Sequence, residues 1–270
     1  MAKISRITTQ KKHTDRYNIF LDDGQKETYG FSVHESVLVE HRLHKDMELS
    51  EALMTTLIKQ DTFHKAYSLA IHYLSYRMRT KQEIRDYLAR KETDDDHIDA
   101  IMEKLESHGL TDDKQFADAF VRTRMNTSNK GPGLLRQELL EKGVEGAIAL
   151  DAVGQYTYEQ QFDKAMKLAT KKRKTTGSKS FSSQLLQLKG TLIQKGFSHD
   201  VAHDVISEIQ DDKDDDAEWQ ALVTQGEKLL NKHRIKLDGF ALRNKMKEAL
   251  YRKGFTIDMI NQFIEQELDG

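Results

Sequence analysis

The sequence predicts a mainly α-helical protein, in which tandem three-helix repeats form an elongated, curved array behind a small N-terminal head containing β-strands. Three observations predict it. One proline and 15 glycines in 270 residues leave too few turn formers for a sandwich or a barrel. From about position 48 onward the apolar residues recur at helical spacing. That helical part also repeats itself every 51 to 58 residues, room for three helices of about 10–12 residues with their links.

The head covers residues 1–46. Tyr17, Ile19 and Leu21 alternate with polar residues, as do Tyr29, Phe31 and Val33, and Asp22-Asp23-Gly24 between them supplies a turn able to take positive φ. This is a hairpin pattern, with Ile4 and Ile7 before it and Val37 and Val39 after it as flanking strands. Residues 47–64 read as a linking helix that opens at Ser50 and carries Leu53, Met54, Leu57 and Ile58 on one stripe. The repeats follow over 65–108, 109–158, 159–212 and 213–270.

Their register is set by a lysine near the end of each second helix: Lys91, Lys142, Lys195 and Lys253. Three residues earlier stands Leu88, Leu139, Leu192 or Leu250, and seven earlier Ile84, Leu135, Leu188 or Met246, one turn apart on one face. One residue later comes Gly143, Gly196 or Gly254, which ends a helix in a left-handed conformation at no steric cost. The first repeat departs from this with Glu92. The first helices are marked by Ala66, Tyr67 and Ala70, by Phe116 and Phe120, by Phe162 and Ala165, and by Trp219 and Leu222. Acidic runs at 92–99 and 211–216 fit as links, since carboxylates favour helix N-termini.

Composition excludes several function classes. With no cysteine there is no disulfide framework, thiolate zinc site or Cys nucleophile, and a reducing cytoplasm suits the chain. No stretch approaches the ~18 apolar residues of a membrane span, so no membrane partner is expected. Walker, G-x-S-x-G and dinucleotide motifs are absent, so neither an enzyme nor a cofactor is expected. Asp112, three residues before Gln115, fits a helix cap better than acid–base chemistry. The run 211–216 fails as a calcium loop: counted from Asp212, position six is Ala217 rather than glycine. His41 and His44 have no third ligand at suggestive spacing, so no metal site is expected.

Two stretches are more specific. One is Tyr76-Arg77-Met78-Arg79-Thr80-Lys81-Gln82-Glu83-Ile84, continuing to Leu88 and Lys91. The other runs from Leu105 through Gly109-Leu110-Thr111-Asp112-Asp113, Phe116-Ala117, Phe120-Val121-Arg122, Arg124 and Lys130-Gly131-Pro132 to Leu135, Glu138-Leu139 and Lys142-Gly143. Together they resemble the opening signature and the central repeat of the RecX family, regulators of the RecA recombinase. The resemblance covers about Ala66 to Leu268. It implies a non-catalytic monomer that docks along the groove of the RecA filament on DNA. Such docking hinders ATP hydrolysis, filament extension and strand exchange, and so tempers recombination and the SOS response; DNA is met indirectly or weakly.

The residues themselves offer a candidate surface. Cations gather where each first helix ends: Arg77, Arg79 and Lys81; Arg122, Arg124 and Lys130; Lys171, Lys172, Arg173 and Lys174; Lys232, Arg234 and Lys236. Arg136 on a second helix joins them. Residues 163–196 hold nine Lys/Arg and one acid, although the net charge of the whole chain is only −2, from 42 Lys+Arg against 44 Asp+Glu. A basic stripe suits polyphosphate or an acidic protein groove. The same cations also offset helix dipoles and solvate exposed faces. Two binding functions stay open on these residues, a ligand of a protein–DNA filament and a direct binder of single-stranded nucleic acid, beside a general helical adaptor. Most aromatics fall on core positions, leaving Tyr76 and Tyr87 as the stacking candidates.

Overall fold

A computed structural model describes residues 2–11, 14–173, 178–211 and 213–268, so Lys174 and Asp212 lie outside the described residues. The chain divides into two bodies, Met1–Phe116 with Lys142–Val144, and Ala117–Glu141 with Glu145–Gly270.

In the first body β1 (Ala2–Thr9), β2 (Arg16–Asp22), β3 (Glu27–His34) and β4 (Glu48–Leu49) form an antiparallel sheet of order β3-β2-β1-β4. The hairpin between β2 and β3 turns where the sequence places it. Gly24 takes φ 92°, and Asp23 Oδ1 accepts from the amides of Gln25 and Lys26, which hold its carboxyl below the usual range. Val37 and Val39 are not in a strand. They sit in α1 (Glu35–Glu40), whose start is capped by His34 Nδ1 accepting from Ser36 N, and Val37 packs into the head core with Ile4, Ile19, Phe31, Val33 and Leu49. With one turn and one buried face, short V-L-V sequences fit a helix as readily as a strand, and the cap decides.

The linking segment and the first helix of the first repeat are a single helix, α2 (Glu51–Ser75), N-capped by Ser50. Its N-terminal half gives Leu53, Met54 and Leu57 to the head core, and its C-terminal half gives Ala66, Tyr67 and Ala70 to the first repeat. Midway, Asp61 is 3% exposed. It accepts from Arg16 Nη2 at 2.8 Å and from the His34 amide at 2.8 Å, and pairs with Lys65 at 2.9 Å. Burial pushes its carboxyl up, but the hydrogen bonds from Arg16 and Lys65 outweigh that and hold it low. This cluster ties the sheet to the helix. The repeat is completed by α3 (Lys81–Ala89) and α4 (Asp95–Ser107), with Ile84, Leu88, Ile101 and Leu105 buried.

The later repeats comprise α5 (Asp113–Thr127), α6 (Pro132–Glu141) and α7 (Gly146–Gly154); α8 (Tyr158–Arg173), α9 (Phe181–Gln194) and α10 (His199–Gln210); and α11 (Asp215–His233), α12 (Gly239–Arg252) and α13 (Ile257–Leu268). The third and fourth each have a core of their own, around Leu188, Leu192 and Phe197 and around Met246, Leu250 and Phe255. Gly109 breaks the chain before α5 at φ 65°, and Asp112 Oδ1 accepts from Lys114 N and Gln115 N, as a cap does.

The lysine register marks a helix ending of one kind. Phe197 N donates to Leu192 O and Gly196 N to Ile193 O, and Phe255 and Gly254 repeat this with Leu250 and Tyr251. This double bond pattern closes a helix through a residue at positive φ, which accounts for the leucine, glycine and phenylalanine offsets together. Each such corner receives the start of an earlier second helix. In the first body Thr80 Oγ1 donates to Lys142 O at 2.7 Å. In the second, Gly131 N donates to Lys195 O at 2.7 Å, Gly133 N to Gly196 O at 2.9 Å, and Ser180 Oγ to Lys253 O. Carbonyls orphaned at one helix end thus meet the positive start of another. The approach is so close that a Cβ on Gly143, Gly196 or Gly254 would fall within 3 Å of Gln82, Leu134 or Ser182. Glu92, at φ 59° and exposed, receives no such helix among the described residues, which is why a side chain is tolerated there.

Carboxylates complete two of the joints. Asp113 Oδ1 accepts from the amide of Lys81, and buried Glu218 from that of Phe181, each the first residue of a second helix; burial raises both carboxyls. In α6 that first residue is Pro132, which has no N–H to satisfy.

Candidate protein-binding surface

Seven of the fourteen nominated cations are held by neighbours within their own body. Arg77 reaches both carboxylate oxygens of Glu83 at 3.1 Å, and Lys142 Nζ joins at 3.0 Å. Burial raises the Glu83 carboxyl, but the bonds from Arg77 and Lys142 dominate and bring it to about 2. Arg79 lies 4.0 Å above the Tyr73 ring, which stacks on Tyr87 at 4.1 Å, so Tyr87 is a packing residue rather than an open platform. Lys81 pairs with Glu106, and Lys130 with Glu138, which also lies 3.6 Å from Arg124. Lys172 Nζ donates to Thr191 Oγ1, and Arg173 covers the Phe181 ring.

The basic run of residues 163–196 is partly architectural too. Lys164 Nζ caps the end of α5 by donating to Met125 O and Ser128 O, and desolvation lowers its pKa. His41 and His44 are likewise committed, to Gln60 and to Lys45 O. Of the nominated cations, those exposed and without an ion pair among the described residues are Arg122, Arg136, Lys171, Lys232, Arg234 and Lys236. Tyr76 is exposed beside His72, with its hydroxyl bonded to His72 Nε2.

Counting back six residues from each corner lysine finds a further set: Arg85, Arg136, Lys189 and Lys247. Only Arg136 stands out without the corner as origin, because the others sit among mixed charges. Arg85 is paired with Asp99 at 2.6 Å. Arg136, Lys189 and Lys247 carry no ion pair among the described residues and lie on α6, α9 and α12 of the second body. Within a turn of each stands an exposed apolar side chain: Leu140 at 43%, Leu186 at 75% and Tyr251 at 62%. The joints set these helices start to end, so the mixed cationic and apolar feature recurs once per helix. Arranged this way, the side chains offer a partner a cation and an apolar contact together on each helix.

Comparison with known proteins covers the whole chain. Residues 2–50 match the regulatory protein RecX N-terminal domain, 66–105 the first three-helix domain of RecX and 112–153 the second. The third three-helix domain matches twice, at 159–206 and 216–264. The chain is 51% identical to the regulatory protein RecX of Oceanobacillus iheyensis, with 99% of each covered. It is 41% identical to that of Bacillus cytotoxicus, over 100% of this chain and 99% of the other. A crystal structure of regulatory protein RecX superposes with a TM-score of 0.68 at 38% identity, over 76% of this chain and 98% of that one. RecX from Lactobacillus salivarius gives 0.54 at 37% identity, over 56% and 98%.

Proposed function

Because the chain belongs to the RecX family of regulatory proteins, we propose that it binds in the groove of the RecA filament on DNA and restrains RecA by binding alone. It lowers ATP hydrolysis, filament extension and strand exchange, and it acts as a cytoplasmic monomer. The observation that carries this reading is the repetition of one joint and one cation register along the chain, the form expected of a ligand for a repeating surface. Carboxylates that could suggest catalysis, Asp112, Asp113 and Glu218, are used to satisfy helix N-termini, which supports binding over chemistry. Titrating the protein into RecA on single-stranded DNA while following ATP turnover tests it: turnover falls to a saturable floor. Unchanged turnover at saturation sinks the proposal. Tight, steeply salt-dependent binding to bare single-stranded DNA with no affinity for ATP-state filaments would replace it with the nucleic-acid reading.

A further inference from the structure

We infer that the filament-facing surface runs along the second helices of the last three repeats, through Arg136, Lys189 and Lys247 and the exposed apolar residue beside each, rather than through the first-helix ends. The inference rests on the filament reading above and specifies its contact face. The Gly131–Lys195 and Ser180–Lys253 joints link α6, α9 and α12 start to end inside one body, so these cations succeed one another at roughly one helix length, about 15–21 Å. None has an ion pair among the described residues, whereas the first-helix ends spend Lys130 and Lys172 on neighbours. Leu140, Leu186 and Tyr251 decide the partner's chemistry. Phosphates would meet the cations but would leave two aliphatic side chains in water, and only Tyr251 could stack on a base. A protein surface offering a carboxylate next to an apolar recess satisfies both halves, and a protein filament offers it again from each subunit.

The test uses the full chain carrying Arg136→Glu, Lys189→Glu and Lys247→Glu, against a control of equal charge change, Lys171→Glu, Lys232→Glu and Lys236→Glu. Both are co-sedimented with RecA filaments on single-stranded DNA held by a non-hydrolysable ATP analogue. The second-helix variant is expected to bind at least about tenfold more weakly than the unsubstituted protein, and the control within about threefold. Equal losses, or a larger loss in the control, overturn the inference. Leu186→Ser with Tyr251→Ser keeps every charge and should also weaken sedimentation; undiminished binding by that folded pair rejects the apolar half. If the unsubstituted protein fails to sediment with filaments, the filament reading itself falls, a result distinct from binding that the variants leave intact.

Discussion

Replacing Gly196 with alanine asks whether the corners hold the repeats together. At φ 87° an alanine costs about 1–2 kcal/mol in backbone strain. Its Cβ would also come within 3 Å of Leu134 N and Leu134 Cβ, so the first turn of α6 must withdraw. Withdrawal breaks the bonds from Gly131 N to Lys195 O and from Gly133 N to Gly196 O, each worth about 1 kcal/mol. The expected loss is therefore about 3–4 kcal/mol. Gly109→Ala is the matched control: φ is 65°, but nothing lies within 4 Å, so only the backbone strain of about 1–2 kcal/mol is due. Urea denaturation followed by circular dichroism compares the two, and amide exchange at residues 131 and 133 reads the joint directly. A Gly196→Ala variant that loses no more than Gly109→Ala, with those amides still protected, refutes the reasoning.

Other perturbations follow from the same contacts. Glu83 is held at about 2 in the fold against an unperturbed 4.5. Its contribution is complete above pH 4.5 and is lost as pH falls toward 2; after allowing for solvent screening it amounts to roughly 1–2 kcal/mol, and Glu83→Gln should flatten acid denaturation curves in that window. Arg16→Ala leaves buried Asp61 with Lys65 and the His34 amide, and should cost about 2–4 kcal/mol in thermal denaturation. Deleting residues 1–46 uncovers Leu53, Met54 and Leu57, so it should lower the melting temperature more than it lowers RecA inhibition; a stable truncation that no longer inhibits refutes this. Pro132→Ala adds an N–H at the first position of α6 and loosens the unfolded chain, and should cost about 1 kcal/mol by urea denaturation.

What could be read from the chain depended on distance along it. The hairpin at Asp22-Asp23-Gly24 and the cap at Asp112 use partners within three residues, and both are visible as spacing. The repeat register was legible because one helix ending imposes a leucine, a glycine and an apolar residue at fixed offsets. Val37 and Val39 were misread because six residues satisfy both periods. The continuity of α2 was missed because its apolar stripe changes partner midway, from head to repeat, without a breaking residue. The joints were out of reach, since Thr80 and Lys142 are far apart in sequence and nothing local to either announces the other. The cation set behaved the same way: pairing in space, as between Arg77 and Glu83, separates held charges from free ones, and composition carries no trace of it.

The corner joint also governs how such a chain can lengthen. Both halves travel inside one repeat, a glycine corner that receives the preceding repeat's second-helix start and a helix start that docks on the next corner, so duplicating a repeat duplicates a working connector. Residues 159–206 and 216–264 answer to the same domain description, and α9 and α12 share a length of 14 residues where α3 has 9 and α6 has 10. The two termini of the series are unlike. Toward the N-terminus, Glu92 puts a side chain where an arriving helix would need bare backbone. Toward the C-terminus, α12 begins with Asp238 making no side-chain cap and Phe240 exposed, a helix start that meets no corner among the described residues. Within the described residues the joint can thus be continued from the start of α12, whereas at Glu92 one side chain fills the place that bare backbone takes at the other corners.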